Sequence, residues 1–125
     1  MKKYFFAAPA LAAMVLISGA ALAQTEPTKH ADGVLVTPAG MTLYTFDKDA
    51  AGSGKSSCNG PCATNWPPLA APSTPPAPPY SVVKRDDGAA QLAYKGKPLY
   101  LYAADKKAGD RAGDNFKDVW HVVKE

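Results

Sequence analysis

The chain has 125 residues, 46% of them hydrophobic and 20% charged, with a formal net charge of +3. That size is one small domain with a modest core. Two of the positive charges, Lys2 and Lys3, belong to a leader; removing them takes +3 to +1, with no basic cluster left for nucleic acid to bind.

The leader comes first. After Lys2 and Lys3 an apolar run extends from Tyr4 to about Ala20 and ends in Ala21-Leu22-Ala23. A basic start, an apolar stretch and an A-x-A site predict a signal peptide over 1–23, cut after Ala23. A membrane anchor is the rival, since the run borders on spanning length, but Pro9 and the small-residue end favour cleavage. No Cys stands at the cut, so no lipid anchor is expected. The mature chain, 24–125, is expected to be exported, soluble, periplasmic or extracellular, with no transmembrane span.

The mature chain reads as β structure. Val34 to Thr37 is β-branched and apolar, Pro38-Ala39-Gly40 turns the chain, and Thr42 to Phe46 is a second strand. Ala50 to Thr64 has room for a short turn of helix. Ala70 to Pro79 carries five prolines, which excludes helix or central strand and predicts an extended spacer. Ser81 to Arg85 is a strand, Asp86-Asp87-Gly88 a turn, and Ala90 to Tyr94 the returning strand. Lys95-Gly96 turns the chain again before a strand over Pro98 to Ala103. Val119 to Lys124 closes the domain.

The chain repeats itself. Tyr44-Thr45-Phe46-Asp47-Lys48-Asp49 returns as Tyr100-Leu101-Tyr102-Ala103-Ala104-Asp105, both Tyr-x-aromatic-x-x-Asp. Asp32-Gly33 and Asp87-Gly88 precede the two copies. Gly40 and Gly96 each stand four residues before the motif tyrosine, and Trp66 and Trp120 close the units. We read repeats over about 29–69 and 83–125, joined by the linker 70–79. Alternation puts Tyr44 and Phe46 on one strand face and Leu43 and Thr45 on the other; Tyr100 and Tyr102 likewise oppose Leu99 and Leu101. Both faces are largely apolar, which predicts central strands covered on both sides and suits pairing about a pseudo-twofold axis. Each buried ring contributes roughly 1.5–3 kcal/mol. The aspartates fall just past the strand ends, where a carboxylate accepts backbone N–H groups and fixes a turn.

The motif, the stretch Gly54–Leu69 with Cys58-Asn59-Gly60-Pro61-Cys62, and Lys97-Pro98-Leu99-Tyr100 with the ending Val119-Trp120-His121-Val122-Val123 resemble the bacterial "secreted repeat of unknown function" family. Its members are predicted lipoproteins with this motif. The resemblance covers nearly the whole mature chain and implies no activity; Ala-Leu-Ala without a following Cys departs from the lipoprotein label.

Cys58 and Cys62 are the strongest chemical candidates. An even pair in an exported chain reads first as a disulfide, and the turn-forming Asn-Gly-Pro brings the two within range. Closing that short loop is worth about 2 kcal/mol. The alternative is a periplasmic copper(I) or thiol-redox site on Cys58 and Cys62, with Met41, His30 or His121 as a third ligand; the three-residue spacer departs from thioredoxin-like spacing. If Trp120 is core, His121 tends to solvent, and His30, near the mature terminus, is expected to be mobile. Asp105, Asp110, Asp114 and Asp118 miss the calcium-loop spacing and are expected in turns and caps. No nucleophile–base pair, phosphate loop or zinc motif is visible. Open faces of Tyr44, Phe46, Tyr100 and Tyr102 would make a ligand platform; core packing is the alternative. The expectation is an all-β domain, a small sandwich or barrel-like body of two pseudo-symmetric repeats. It is expected to serve as a non-enzymatic envelope binding or interaction module without a cofactor, its partner an unknown envelope protein or small ligand.

Overall fold

The computed structural model describes residues 27–74 and 76–124; the leader expected over 1–23 and its cleavage point lie outside the described residues. Among the described residues seven short strands and one helical turn follow in order: β1 Lys29–Ala31, β2 Val34–Val36, β3 Tyr44–Phe46, α1 Pro61–Asn65, β4 Tyr80–Lys84, β5 Ala90–Tyr94, β6 Lys97–Pro98 and β7 Trp120–Val122. They form three small antiparallel sheets, β1-β2, β3-β7 and β4-β5-β6, stitched together by isolated bridges. The molecule is all-β in class, as expected, and its sheets do not close into a barrel.

Turn chemistry explains most boundaries. β1 and β2 are joined by Asp32-Gly33, both at positive φ (50° and 83°), the requirement of the two-residue hairpin turn that suits twisted strands. Lys95-Gly96 joins β5 to β6 in the same way, at 52° and 83°. An Asp-Gly hairpin needs a strand on each side, which the expectation of a strand starting at Val34 overlooked. His30, expected to be mobile, therefore lies in β1 opposite Leu35. The strand expected over 98–103 is also shorter. Tyr100 bridges Tyr44 on one side and Pro68 on the other, and the chain then turns, Asp105 N–H donating to Tyr102 C=O at 3.0 Å.

The repeats exchange their closing segments. Trp120–Val122, the end of repeat two, pairs with the motif strand of repeat one in the register Tyr44↔Val122, Thr45↔His121, Phe46↔Trp120. Reciprocally, the end of repeat one pairs with the motif segment of repeat two. Leu69 N–H donates to Leu99 C=O (3.0 Å), and Leu101 N–H donates to Pro67 C=O (2.7 Å). At the centre, Tyr44 and Tyr100 exchange both backbone hydrogen bonds, at 2.8 and 2.9 Å. This is the pseudo-twofold pairing that the duplicated motif suggested.

The recurring glycines obey the same exchange. Gly40, at φ 94°, receives the Gly109 N–H of the other repeat, and a side chain there would meet the Ala108 Cβ at 2.9 Å. Gly96, at φ 83°, accepts the Gly52 N–H at its C=O, and a side chain would lie 2.8 Å from the Gly52 nitrogen. Left-handed backbone and close approach both require glycine here.

The alternation separates two cores. Tyr44, Phe46, Tyr100, Trp66 and Trp120 gather with Val34, Val36, Val122 and Cys58 on one side. Leu35, Leu43, Leu92 and Leu99 gather on the other. The motif strands are thus covered on both faces, and the larger, aromatic core is the one that reaches the surface.

Candidate functional site

The motif residues make one reciprocal device. Tyr44 Oη donates to Asp105 Oδ2 and Tyr100 Oη to Asp49 Oδ2, each at 2.6 Å, so each tyrosine binds the aspartate of the other repeat. The second carboxylate oxygen holds its own loop: Asp49 Oδ1 accepts Ser57 N–H (2.6 Å) and Asp105 Oδ1 accepts Ala112 N–H (2.9 Å). The aspartates do fix turns, as expected; the cross-repeat tyrosine bond is additional. Asp110 and Asp114 also hold turns, accepting from the Lys106 and Lys107 N–H groups and from Val122 N–H.

Burial first, and then the hydrogen bond to a carboxylate, raise both tyrosine hydroxyls well above their ordinary pKa of 10.0. In the unfolded chain they ionise at their ordinary value, so above pH 10 the unfolded state binds fewer protons than the folded one. Stability is therefore whole below about pH 10 and falls above it, by about 1.4 kcal/mol per pH unit for each tyrosine. Denaturant midpoints measured from pH 9 to 11.5 should show this fall, and Tyr100→Phe should roughly halve its slope. A flat profile would contradict the arrangement.

A buried cation sits beside the second pair. Arg85, 4% exposed, donates from Nη1 to Ser56 Oγ (2.9 Å) and Gln91 Oε1 (2.8 Å), and from Nη2 to Cys58 C=O (2.5 Å) and Asn59 Oδ1 (3.2 Å). Ser56 Oγ lies 2.5 Å from Tyr100 Oη. Because Tyr100 donates to Asp49 and Arg85 donates to Ser56, the serine must donate to the tyrosine. The chain Arg85→Ser56→Tyr100→Asp49 thus links a buried cation to a buried anion through two hydroxyls. The Cys58–Cys62 disulfide is formed, Cα atoms 5.2 Å apart; it closes the loop whose Cys58 carbonyl and Asn59 side chain receive the guanidinium.

The aromatic core is a stack of four rings. Phe46 lies on Trp120 (centroids 4.2 Å, planes 13° apart), Trp120 on Trp66 (3.8 Å, 2°) and Trp66 on Tyr102 (4.0 Å, 18°). Motif aromatics form the ends, closing tryptophans the middle, and each end ring rests on the other repeat's tryptophan. Tyr44 and Tyr100 meet the tryptophans of their own repeats edge-on, at 5.3 and 5.1 Å. Such contacts add about 0.5–1.5 kcal/mol each beyond burial.

Along one side of this stack runs an open cleft of about 470 Å³. Trp66, Trp120 and Tyr102 line it. Pro61, Cys62 and Asn65 of α1 also line it, as do Phe116 and Lys117. Among the described residues Lys117 is the one charged side chain lining it, its Nζ 5.6 Å from the Phe116 ring centroid.

The residues singled out from sequence fall into separate places. Of the four platform aromatics, Tyr44 and Tyr100 are at 0% exposure and Phe46 at 8%, all in the core. Tyr102 alone lines the cleft. The two cysteine sulfurs are bonded to each other, so in this state neither is a thiolate ligand. His121 is not brought to them: Trp120 is buried, and the half-exposed His121 ring faces Asp47 (Nε2, 2.9 Å) and Asn115 (Nδ1, 3.0 Å). Met41 sits in the β2–β3 turn, its N–H donating to Thr37 Oγ1. Among the described residues no group of three or more His, Cys, Asp or Glu side chains is placed to hold a metal.

Sequence reasoning passed over Ser56, Arg85, Gln91, Phe116 and Lys117. One signal was present: Phe116 stands four residues before Trp120, as Cys62 does before Trp66. An arginine beside an Asp-Asp-Gly turn reads as surface, and nothing in its neighbourhood announces burial.

The fold and site define a two-repeat β domain, locked by exchanged strands, with an aromatic cleft at its seam. The chain belongs to the family described as secreted repeat of unknown function, whose model matches residues 28–70 and 81–124, one stretch for each repeat. Neither the curated proteins nor the solved structures include a match. No helix among the described residues is long and apolar enough to cross a membrane.

Proposed function

We propose that this is an exported, non-enzymatic binding module of the cell envelope, and that its ligand sits in the aromatic cleft. The observation that carries the reading is the cleft's construction: an open space of about 470 Å³ along a stack of rings held rigid from both repeats. Its volume lies in the range of roughly 300–1,000 Å³ typical of small-molecule sites, and its wall sets aromatic rings beside a few polar groups. The platform imagined on the motif strands becomes, in this reading, the cleft next to them, with Tyr102 as the shared member. Among the described residues no nucleophile–base pair lines the cleft, which suits binding better than covalent catalysis. The family description supports export. A fragment screen read by amide and indole chemical shifts tests the reading. Hits should cluster on Cys62, Asn65, Tyr102, Phe116 and Lys117; shifts scattered over the surface, or none at all, would overturn it.

A further inference from the structure

The chemistry of the cleft wall narrows the ligand, on the premise that the cleft is the binding site. Both faces of Trp66 are covered, by Trp120 and Tyr102, and both faces of Trp120, by Trp66 and Phe46. A cleft touching Trp120, Trp66 and Tyr102 in succession therefore meets the tryptophans along their edges. Ring faces attract cations and the C–H surfaces of sugars; ring edges carry the positive end of the quadrupole. With both indole faces occupied, a cation cage or a sugar platform on the tryptophans is ruled out.

The indole edges also carry donors. Trp66 and Trp120 are 4% and 3% exposed. None of the side-chain hydrogen bonds among the described residues is donated by either Nε1–H. Tryptophan is donor-only, and a buried indole N–H usually has a partner. The six-membered end of Trp66 is turned to Gly113, where an added Cβ would lie 2.5 Å from Cη2 and 2.8 Å from Cζ3. Its pyrrole edge, with the N–H, is thus at the opposite end, near its own helix, where Pro61, Cys62 and Asn65 border the cleft. Lys117 adds a full positive charge, and no acid lines the wall to offset it. The loop that presents it is held in an unusual shape, with Asn115, Lys117 and Asp118 all at positive φ (62°, 50° and 59°). Non-glycine residues adopt that region at a cost and cluster at ligand clamps.

We infer that the cleft takes a small hydrophobic carboxylate, its oxygens received by the indole N–H groups and the Lys117 ammonium and its hydrocarbon part set against Phe116 and Tyr102. Charge, indole donors and edge-on rings all select an acceptor, and the Phe116 and Tyr102 rings select a hydrocarbon body.

Benzoate, benzyl alcohol, benzylammonium and cellobiose discriminate, each titrated into the folded mature chain and followed by indole and amide shifts. Benzoate is expected to move both indole N–H resonances and to bind at least about tenfold more tightly than benzyl alcohol. Benzylammonium and cellobiose should leave the cleft unmoved. Lys117→Gln should weaken benzoate about five- to tenfold and leave benzyl alcohol unchanged, and added salt should mimic it. Equal binding of benzoate and benzyl alcohol, or indole resonances that stay still, overturns the inference. Cleft shifts with cellobiose or benzylammonium but not benzoate also overturn it, while leaving the cleft a ligand site. No cleft shift with any of the four removes both the inference and its premise.

Discussion

Asp49→Ala is expected to cost roughly 3–5 kcal/mol, the range for removing one partner of a buried charged pair. In a domain of this size that lowers Tm by roughly 12 °C or more. The substitution strands three groups at once. Tyr100 Oη loses its acceptor, Ser57 N–H loses its own, and Arg85 keeps its charge while the anion at the far end of its hydrogen-bond chain is gone. Asp105→Ala strands the corresponding tyrosine and backbone groups, but among the described residues no buried cation stands behind Tyr44. Asp49→Ala should therefore be the more damaging of the two by at least about 1 kcal/mol, the worth of one further unpaired buried group. Where Asp49→Ala fails to fold, Asp49→Asn keeps the shape and gives a measurable protein. In a double-mutant cycle with Tyr100→Phe it should show a coupling of about 0.5–3 kcal/mol. Urea denaturation decides. Equal losses at Asp49 and Asp105, together with a cycle that closes at zero, would show that the network carries no coupling.

The duplicated motif shows what a sequence reveals and what it withholds. Alternation along Leu43–Phe46 and Leu99–Tyr102 was enough to assign the two faces, because side chains on a strand alternate whatever the strand pairs with. Gly40, Gly96 and the Asp-Gly and Lys-Gly turns were legible for an equally local reason. Partner identity is not local. Nothing in Tyr-x-aromatic-x-x-Asp says that Tyr44 reaches Asp105 instead of Asp49, and the aspartates were read correctly as turn-holders while half of their bonding was missed. The cleft was less legible still. Phe116 and Lys117 lie in an irregular loop with no hydrophobic period to mark them. The burial of Tyr44, Tyr100 and Phe46 depends on strands arriving from the other repeat. Tyr102 remained at the surface because the chain turns immediately after it.

The exchange of closing segments leads to a stronger expectation: neither repeat folds alone, and the two fold together. Cutting the chain within the proline-rich linker leaves repeat one with Tyr44–Phe46 but without β7, its antiparallel partner. Repeat two is left with Leu99–Leu101 but without the Pro67–Leu69 backbone that pairs with it. Each fragment also loses half of the ring stack and the acceptor of its motif tyrosine. Short two- and three-stranded sheets without a covered face are marginal at best in water, so each fragment by itself should give no cooperative unfolding transition. Mixed in equal amounts they should restore it, because every lost contact lies between them and the linker contributes none of the motif bonds. The linker's role is then to hold the halves at an effective concentration in the millimolar range. At roughly 10 µM of each fragment the complex should be less stable than the intact chain by about 2.7 kcal/mol, the free energy of a hundredfold dilution. Near-ultraviolet circular dichroism reads the result directly, since Trp66 and Trp120 come from different fragments and stack only in the complex. A signal of folded tryptophan from either fragment alone would mean that the repeat is a self-sufficient unit and that the exchanged strands are dispensable.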